Sequence, residues 1–253
     1  MGEKKSLTTK MFPDPWRELR TNRFRNAEPS VEMIMMTQPV GKFKGTGITA
    51  DTFPAYAARE AWESYHKYTG DNEKDTELDR ELTRRVIIDR GHGTPLQGVQ
   101  YNFDIRGVSK SLQAQWTRHK IGIGWVFRST RFVPASGNKF VYCTYDYIND
   151  RDKVGELLDI DEAHAKQAIE DFDKKRSLGA TKQDSRKVMP VEFATDCKFF
   201  VNARALRHLL DLRLAKGAEW EIRRLSAMIL DEVMEHTPTL FEDIYERYFT
   251  KSE

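Results

Sequence analysis

The segment Val201–Arg213 places an arginine within an apolar helical stripe. At ~100° per residue, Leu206, Leu209 and Leu210 share one face of a helix, and Arg213 falls in the middle of that face. An uncompensated buried charge is costly, so such an arginine needs an anionic or hydrogen-bonding partner. The spacing therefore predicts an ion pair with an internal carboxylate, a cavity in which a polar ligand supplies the partner, or a helix more exposed than its pattern indicates.

The motif around Arg213 is one of several that follow each other along the chain. In chain order they are Gly91-His92-Gly93-Thr94-Pro95, Gln115-Trp116-Thr117-Arg118-His119-Lys120, Ser129-Thr130-Arg131, Arg186 through Pro190, Asn202-Ala203-Arg204, Leu212-Arg213 and Ala218-Glu219-Trp220-Glu221-Ile222-Arg223. In content and order they resemble the motifs of the flavin-dependent thymidylate synthases. The resemblance implies FAD as cofactor, methylenetetrahydrofolate as carbon donor, NADPH as reductant, and C5 methylation of dUMP by a homotetramer whose sites are shared between subunits.

The resemblance also implies which residues meet the nucleotide. Arg213 is carried over as the catalytic residue, which meets the pyrimidine edge. There a fixed guanidinium can stabilise negative charge on the uracil carbonyls. The substrate-binding positions are Gln115, Arg118, Ser129, Arg131, Arg186 and Arg213. Arginines with a hydroxyl are the usual clamp for a phosphate dianion, although Arg128 through Arg131 is also typical of a basic surface loop.

On the cofactor side, the resemblance implies contacts from four of the motifs and from two further positions. The positions carried over are His92, Thr94, Gln97, Arg118, His119, Lys120, Asn202, Arg204, His208 and Leu212. His92 lies between glycines, on a turn that permits close backbone approach. Gln97 and His208 stand where the family usually has glutamate and asparagine. Their roles as flavin or folate contacts rest on position alone.

The loop that follows Arg118 departs from the family pattern R-H-R-x-x-S-x-N-E-x-S-x-R. Its third basic position is Lys120, the first serine and the Asn-Glu pair are absent, and the stretch to Arg131 is one residue longer. Ala61 likewise replaces a small polar residue often found near the flavin. These changes lie around the sugar and phosphate, so dUMP and UMP remain alternative substrates. A site that hydrogen-bonds the 2′-hydroxyl would reject the nucleotide that lacks it by a large factor.

Two alternatives from other classes remain open. The first is a flavin- and nucleotide-binding protein of the same fold without methylase activity, which the loop changes motivate. The second is a nucleic-acid-binding module, suggested by basic residues interleaved with aromatic ones in the stretch 118–132. The 41 basic and 39 acidic residues give a net charge of only +2, which disfavours a nucleic-acid partner.

Composition bounds the remaining classes. A chain of 253 residues can bury the core of one domain. Cys143 and Cys197 are far apart without C-x-x-C spacing, which favours a reduced intracellular setting. The six histidines lack zinc-ligand spacing, so no metal site is predicted. No apolar run approaches the ~20 residues that a membrane span needs, so we expect a cytoplasmic protein without a membrane partner.

The pattern of elements predicts an α+β fold, because no regular βαβ alternation is present, and the resemblance implies a single domain with a mixed or antiparallel sheet flanked by long helices. Residues 1–29 are interpreted as a variable arm and 30–253 as the synthase-like domain. Strands are predicted at 31–36, 99–106 and 139–147, and helices at 54–68, 74–89, 109–120, 152–175, 202–216 and 218–236, with a short terminal helix. The helix at 152–175 is expected to be mostly solvated. The helix from Ser109 would put Gln115 and His119 on the face of Leu112 and Trp116.

Overall fold

The structure, a computed structural model, describes Thr8 and residues 11–132 and 137–250. Within these ranges four strands form an antiparallel sheet in the order β1-β2-β4-β3. The strands are β1 (Ser30–Met36), β2 (Gln100–Ser109), β3 (Ile123–Phe127) and β4 (Ala194–Asn202). With helices accompanying this sheet, the predicted α+β class is confirmed.

The described helices range from one turn to more than seven. They are α1 (Arg17–Thr21), α2 (Phe53–Ala61), α3 (Asn72–Leu82), α4 (Lys110–Trp116), α5 (Arg151–Ser177), α6 (Lys182–Ser185), α7 (Ala203–Arg213), α8 (Trp220–His236) and α9 (Glu242–Tyr245). Short 3₁₀ turns lie at Gly41–Phe43, Ser64–Lys67, Thr94–Gly98, Arg186–Val188 and Pro238–Leu240, and π-helical turns at Thr83–Ile88 and Glu246–Thr250. None of the helices that the structure describes is both long and apolar enough to cross a bilayer.

The chain divides into two compact units. The first unit contains the described residues of Met1–Ser30, Ile105–Arg118 and Trp125–Lys198. The second unit contains those of Val31–Asp104, His119–Gly124 and Phe199–Glu253. The predicted site residues fall into both units, and the two sets are described separately below.

The core of the first unit forms around α5. Its buried side chains include Val154, Leu158, Ile169 and Phe172, at the spacing of one helical face. They cluster with buried residues from outside the helix, namely Phe140, Tyr142 and Phe193. Most of the 27 residues of α5 are exposed, so the prediction of a mostly solvated helix is confirmed, and its apolar stripe packs into this core.

The core of the second unit joins β2, β4 and the late helices. Tyr101 and Phe103 of β2 are fully buried, as the alternation of apolar and polar residues predicts. Phe103 stacks on Phe199 of β4 with ring centroids 6.0 Å apart. Leu206 and Leu209 of α7 are also fully buried. The second unit thus anchors α7 through its apolar face.

The helix from Ser109 is shorter than predicted. Ser109 Oγ accepts a hydrogen bond from Leu112 N at 2.9 Å and caps the helix, but α4 ends at Trp116. The Arg118 amide bonds to Gln115 O at 3.3 Å, which tightens the end of the helix into a turn. His119 therefore lies beyond α4. The predicted face shared by His119 with Leu112 and Trp116 was wrong.

The stretch 139–147 does not form the predicted strand. Phe140 makes isolated bridges to Asn26 and to Phe193, so its backbone is divided between two partners. Tyr145, with φ 48°, then turns the chain into a bond from Ile148 N to Tyr145 O. Strand pairing of this stretch is limited to the bridges of Phe140. The sheet is completed by β3 and β4, for which no strand was predicted.

Candidate active site

Helix α7 and its N-cap residue carry five of the ten predicted site residues of the second unit. Asn202 caps its N-terminus, because Asn202 Oδ1 accepts a hydrogen bond from Ala205 N at 2.8 Å. One lone pair of the Asn202 side-chain oxygen is therefore committed to the helix. At the other end, Arg213 is the last residue of α7, where a cation is favourable beside the final carbonyl groups.

Arg213 is half-buried and has an imidazole as its partner. Arg213 Nε donates a hydrogen bond to His119 Nε2 at 2.9 Å. Within residues 11–132 and 137–250, Arg213 forms no ion pair with a carboxylate, and its Nη groups make no hydrogen bond. The ion pair considered from the sequence is thus not formed, and the forked end of the guanidinium remains available for a ligand.

The bond to Arg213 determines the protonation state of His119. A ring nitrogen that accepts a hydrogen bond carries no proton, so His119 must be neutral with its proton on Nδ1. Burial lowers the pKa of His119, and the charges of Arg213 and His208 lower it further. The electrostatic environment therefore stabilises the same neutral ring that the geometry requires.

Two glycines bring the predicted flavin-side motifs together in the second unit. A methyl group at Gly93 would lie 3.3 Å from Arg204 Nε, so the Gly91–Gly93 turn packs directly against this side chain. Gly122, with φ +72°, leaves no room for a methyl group beside Asn202 Nδ2, and Asn202 N bonds to Gly122 O at 3.1 Å. The glycine turn, the loop after His119 and the start of α7 thus meet at Arg204 and Asn202.

The remaining flavin-side candidates are exposed on the same unit. These residues are His92, Thr94, Gln97, Lys120, His208 and Leu212. The His92 ring lies 6.2 Å from the ring of Trp62, at an interplanar angle of 60°. Trp62 is half-exposed and was missed by sequence reasoning, although a tryptophan directly after the end of α2 was a detectable signal. Among the described residues, Thr94 and Gln97 form no side-chain hydrogen bond with the other candidates.

The flavin-side cations differ from the structural arginines of their unit. Arg59 pairs with Asp79 at 2.8 Å, and Arg207 pairs with Asp243 at 2.7 Å. Lys120, Arg204 and Arg213, by contrast, have no carboxylate partner in the part of the chain that the structure describes. Donors without an internal anion are suited to an anionic or carbonyl-bearing ligand.

The first unit brings Arg186 to the predicted phosphate loop. Arg186 Nη1 donates to Thr130 Oγ1 at 3.0 Å, and Arg131 N bonds to Ser129 Oγ at 3.3 Å. The guanidinium of Arg131 lies 5.4 Å from the ring centre of Phe132. Segments that are 56 residues apart in the sequence therefore form one group of donors.

Gln115 and Arg118 lie at the end of α4, also in the first unit. Gln115 is half-buried and Arg118 is exposed. Within the described ranges, neither side chain forms a hydrogen bond or ion pair with the loop 129–131. Sequence reasoning missed Lys110 at the start of this helix. Burial lowers the pKa of Lys110, and the charges of Arg128 and Arg186 lower it further.

The chain is similar in sequence to several known proteins. The family model described as "Thymidylate synthase complementing protein" matches residues 48–239. The flavin-dependent thymidylate synthase of Halobacterium salinarum is 31% identical over 208 residues, which cover 69% of this chain and 83% of the relative. The Wolinella succinogenes enzyme of the same name is 29% identical over 199 residues, covering 76% and 93%.

A solved structure shares the fold. Thymidylate synthase X from Helicobacter pylori, crystallised with FAD and dUMP, matches with a TM-score of 0.64 over 85% of this chain and 98% of its own. The sequence identity of this pair is 22%. At that identity the likeness shows the fold, which agrees with the α+β architecture described above.

Proposed function

Because the chain belongs to the flavin-dependent thymidylate synthase family, we propose that it methylates C5 of a uridine 5′-monophosphate nucleotide, either dUMP or UMP. Methylenetetrahydrofolate donates the carbon, NADPH is the reductant and FAD is the cofactor. The observation that carries this proposal is the environment of Arg213, whose guanidinium is held by a neutral imidazole instead of a carboxylate.

The donors of the second unit fit FAD, an anionic cofactor with a diphosphate. Arg204 and Lys120 lack internal carboxylate partners in the described ranges, and Gly93 lets Arg204 approach the glycine turn. The residues that would hold FAD are His92, Thr94, Gln97, Arg118, His119, Lys120, Asn202, Arg204, His208 and Leu212. When bound, the reduced flavin supplies hydride to C6 of the pyrimidine ring.

Arg213 is proposed to act on the pyrimidine. Negative charge develops on the uracil carbonyl oxygens as the ring reacts, and a preorganised cation stabilises this charge without further reorganisation. The hydrogen bond from Nε to His119 fixes the plane of the guanidinium, so its Nη groups can form two parallel hydrogen bonds. His119 thereby positions Arg213 and does so without adding a competing charge.

The first unit is proposed to bind the nucleotide phosphate. Arg186 and the loop 129–131 supply a guanidinium, hydroxyls and a second arginine, which match a phosphate dianion. Gln115 and Arg118 are proposed to complete the substrate site. We infer that the protein is a homotetramer in which neighbouring subunits share each site.

A direct assay tests the proposal. Purified protein is supplied with FAD, NADPH, methylenetetrahydrofolate and either dUMP or UMP, and the nucleotide is analysed by mass spectrometry for a C5 methyl group. The ratio of kcat/KM for the two nucleotides identifies the pentose, since a site that bonds the 2′-hydroxyl discriminates strongly. Reactions without folate are the control.

Two outcomes contradict methylation. A yellow protein that binds uridine nucleotides but forms no methylated product would support the non-methylating alternative. A colourless protein that shifts oligonucleotides in a gel would support the nucleic-acid-binding module.

A further inference from the structure

Lys110 has an unusual position for a lysine. It is half-buried at the first residue of α4, and its backbone nitrogen bonds to Phe193 O at 3.1 Å. Its ammonium donates to Gln113 Oε1, a neutral acceptor, at 2.8 Å. Within residues 11–132 and 137–250 it pairs with no carboxylate. A partly desolvated charge therefore lacks an internal counter-ion.

Two arginines of the first unit contribute to the electrostatic surroundings of Lys110. Arg128 Nη2 donates to Ala194 O at 3.3 Å, the carbonyl that follows the one bonded to Lys110 N. Arg186 is held by Thr130, as described above. The charges of both arginines act on Lys110 and help to lower its pKa. Backbone attachment thus places Lys110 and Arg128 at neighbouring carbonyls, and the charge of Arg186, which is held two residues from Arg128 at Thr130, acts on the same ammonium.

The negative charge within this group is insufficient. Asp196 lies 3.5 Å from Arg128, and its Oδ1 already accepts a hydrogen bond from Gly107 N at 3.0 Å. This carboxylate pairs with Arg128 and has no ion pair with Lys110 or Arg186 in the described ranges, so the three positive charges repel each other, and burial strengthens this repulsion. A bound anion with two negative charges would balance the group, and a phosphate monoester carries nearly that charge.

We propose that Lys110, Arg128 and Arg186 form one anion site, in which Lys110 binds the phosphate of the nucleotide substrate. The identity of the ligand rests on the proposed function, whereas the anion site itself rests on the geometry. Lys110 belongs to none of the motifs on which the family resemblance was based. Lys110 adds a half-buried cation to the phosphate-binding residues of the loop 129–131.

The test compares ligands with and without a phosphate. The holoprotein is titrated calorimetrically at fixed ionic strength with UMP, dUMP, uridine and deoxyuridine, and inorganic phosphate is used as a competitor. Lys110→Gln is expected to weaken binding of both monophosphates about 10- to 100-fold, the range for a lost charge-assisted hydrogen bond, and to leave nucleoside binding unchanged. Lys110→Arg should retain most of the affinity.

Lys153→Gln is the matched control, because Lys153 is exposed in the same unit and pairs with Asp150 at 3.2 Å. It should bind every ligand as the wild type does. Unchanged monophosphate affinity in Lys110→Gln would overturn the inference. So would an equal loss of nucleoside and nucleotide affinity that Lys110→Arg does not rescue, because that pattern indicates a structural role.

Failure of the proposed function gives a different result. If inorganic phosphate binds in a Lys110-dependent manner but no uridine nucleotide binds, the anion site is supported and the assignment of the substrate falls.

Discussion

Two arginines of the same helix, α7, have opposite kinds of partner. In the first half of α7, Arg207 forms paired hydrogen bonds to both carboxylate oxygens of Asp243, each at 2.7 Å, and also bonds to Leu240 O. At the last residue, Arg213 bonds through Nε to neutral His119 and has no carboxylate partner in the part of the chain described. The two side chains are chemically identical, but the charge of Arg207 is balanced by a carboxylate and the charge of Arg213 is not.

This difference separates residues that maintain the fold from residues that await a ligand. The Arg207 pair is satisfied within the chain and links α7 to the segment that contains α9. A guanidinium without an internal anion adds little to stability, but it is preorganised for charge that arrives from outside. The same contrast holds in the first unit between Arg23, which pairs with Glu162, and Lys110.

The largest effect is expected from removing the ligand-directed arginine. Arg213→Ala should lower kcat about 10²- to 10³-fold, because a preorganised donor to the developing charge is lost. Its thermal stability and its flavin content should stay close to those of the wild type. The measurements are steady-state turnover, the visible flavin spectrum and a thermal melt. Arg247→Ala, which removes an exposed partner of Asp211 on the same helix, is the control and should keep its turnover. Near-normal turnover of Arg213→Ala would show that Arg213 is not directed to a ligand, and the contrast with Arg207 would fall.

The paired arginine should give the opposite result. Arg207→Ala leaves the Asp243 carboxylate, which is 26% exposed, with only the longer contact to Arg247 at 3.6 Å, and should lower the free energy of unfolding by about 2–4 kcal/mol. Burial works to raise the pKa of Asp243, but the hydrogen bonds and charge of Arg207 lower it overall. The pair therefore stabilises the protein above the carboxyl's ordinary pKa, and this stabilisation is lost as the pH falls through the depressed value. Urea denaturation of the wild type and of Arg207→Ala at neutral and acidic pH measures the loss of stability and its dependence on pH. An unchanged midpoint would show that the pair is dispensable.

The sequence alone could predict the elements whose local pattern agrees with their final burial. The alternation in β2 and the leucine stripe of α7 are such cases, and Tyr101, Phe103, Leu206 and Leu209 are all buried. β4 carried a comparable signal that was overlooked. Its inward residues Thr195, Cys197, Phe199 and Val201 alternate with more exposed ones. A period of two was sufficient to predict this strand.

Other features have no local signal. The residues of β3 are half-exposed or exposed without alternation, so pairing with β4 decides that this segment is a strand. The contact between Arg213 and His119 joins residues 94 apart in the sequence. Lys110 gains its neighbours only when β4 brings Phe193 and Ala194 beside it. The motifs predicted which residue types matter, and tertiary structure determined their partners.

A smaller effect on nucleotide affinity is expected when Arg213 keeps its charge but loses the hydrogen bond to His119 that orients it. Because the folded-state pKa of His119 lies below its ordinary value, the folded protein binds fewer protons than the unfolded chain. The bond between His119 and Arg213 is therefore fully present above the ordinary histidine pKa of ~6.5, and it is lost as the pH falls through the lower folded value. Arg213 and His208 are the charged or titratable groups that act on this ring. Nucleotide affinity should consequently weaken on the acid side.

Two substitutions of His119 isolate this step. Glutamine offers an oxygen that can accept the bond from Arg213 Nε and does not titrate, so His119→Gln should retain neutral-pH affinity and show a weaker acid-side decline. His119→Phe removes the acceptor and should lose roughly 3- to 10-fold in nucleotide affinity at neutral pH, the value of one ordinary hydrogen bond, and this loss relative to wild type should shrink on the acid side, where the wild type loses the same bond. Calorimetric titration from about pH 5 to 8 measures the dissociation constants. The phosphate of the nucleotide titrates in the same range, but it does so identically in all variants, so the ratio to wild type reports His119 alone. If that ratio is independent of pH for His119→Gln, the imidazole does not control Arg213, and the ligand-directed arginine is oriented by its helix alone.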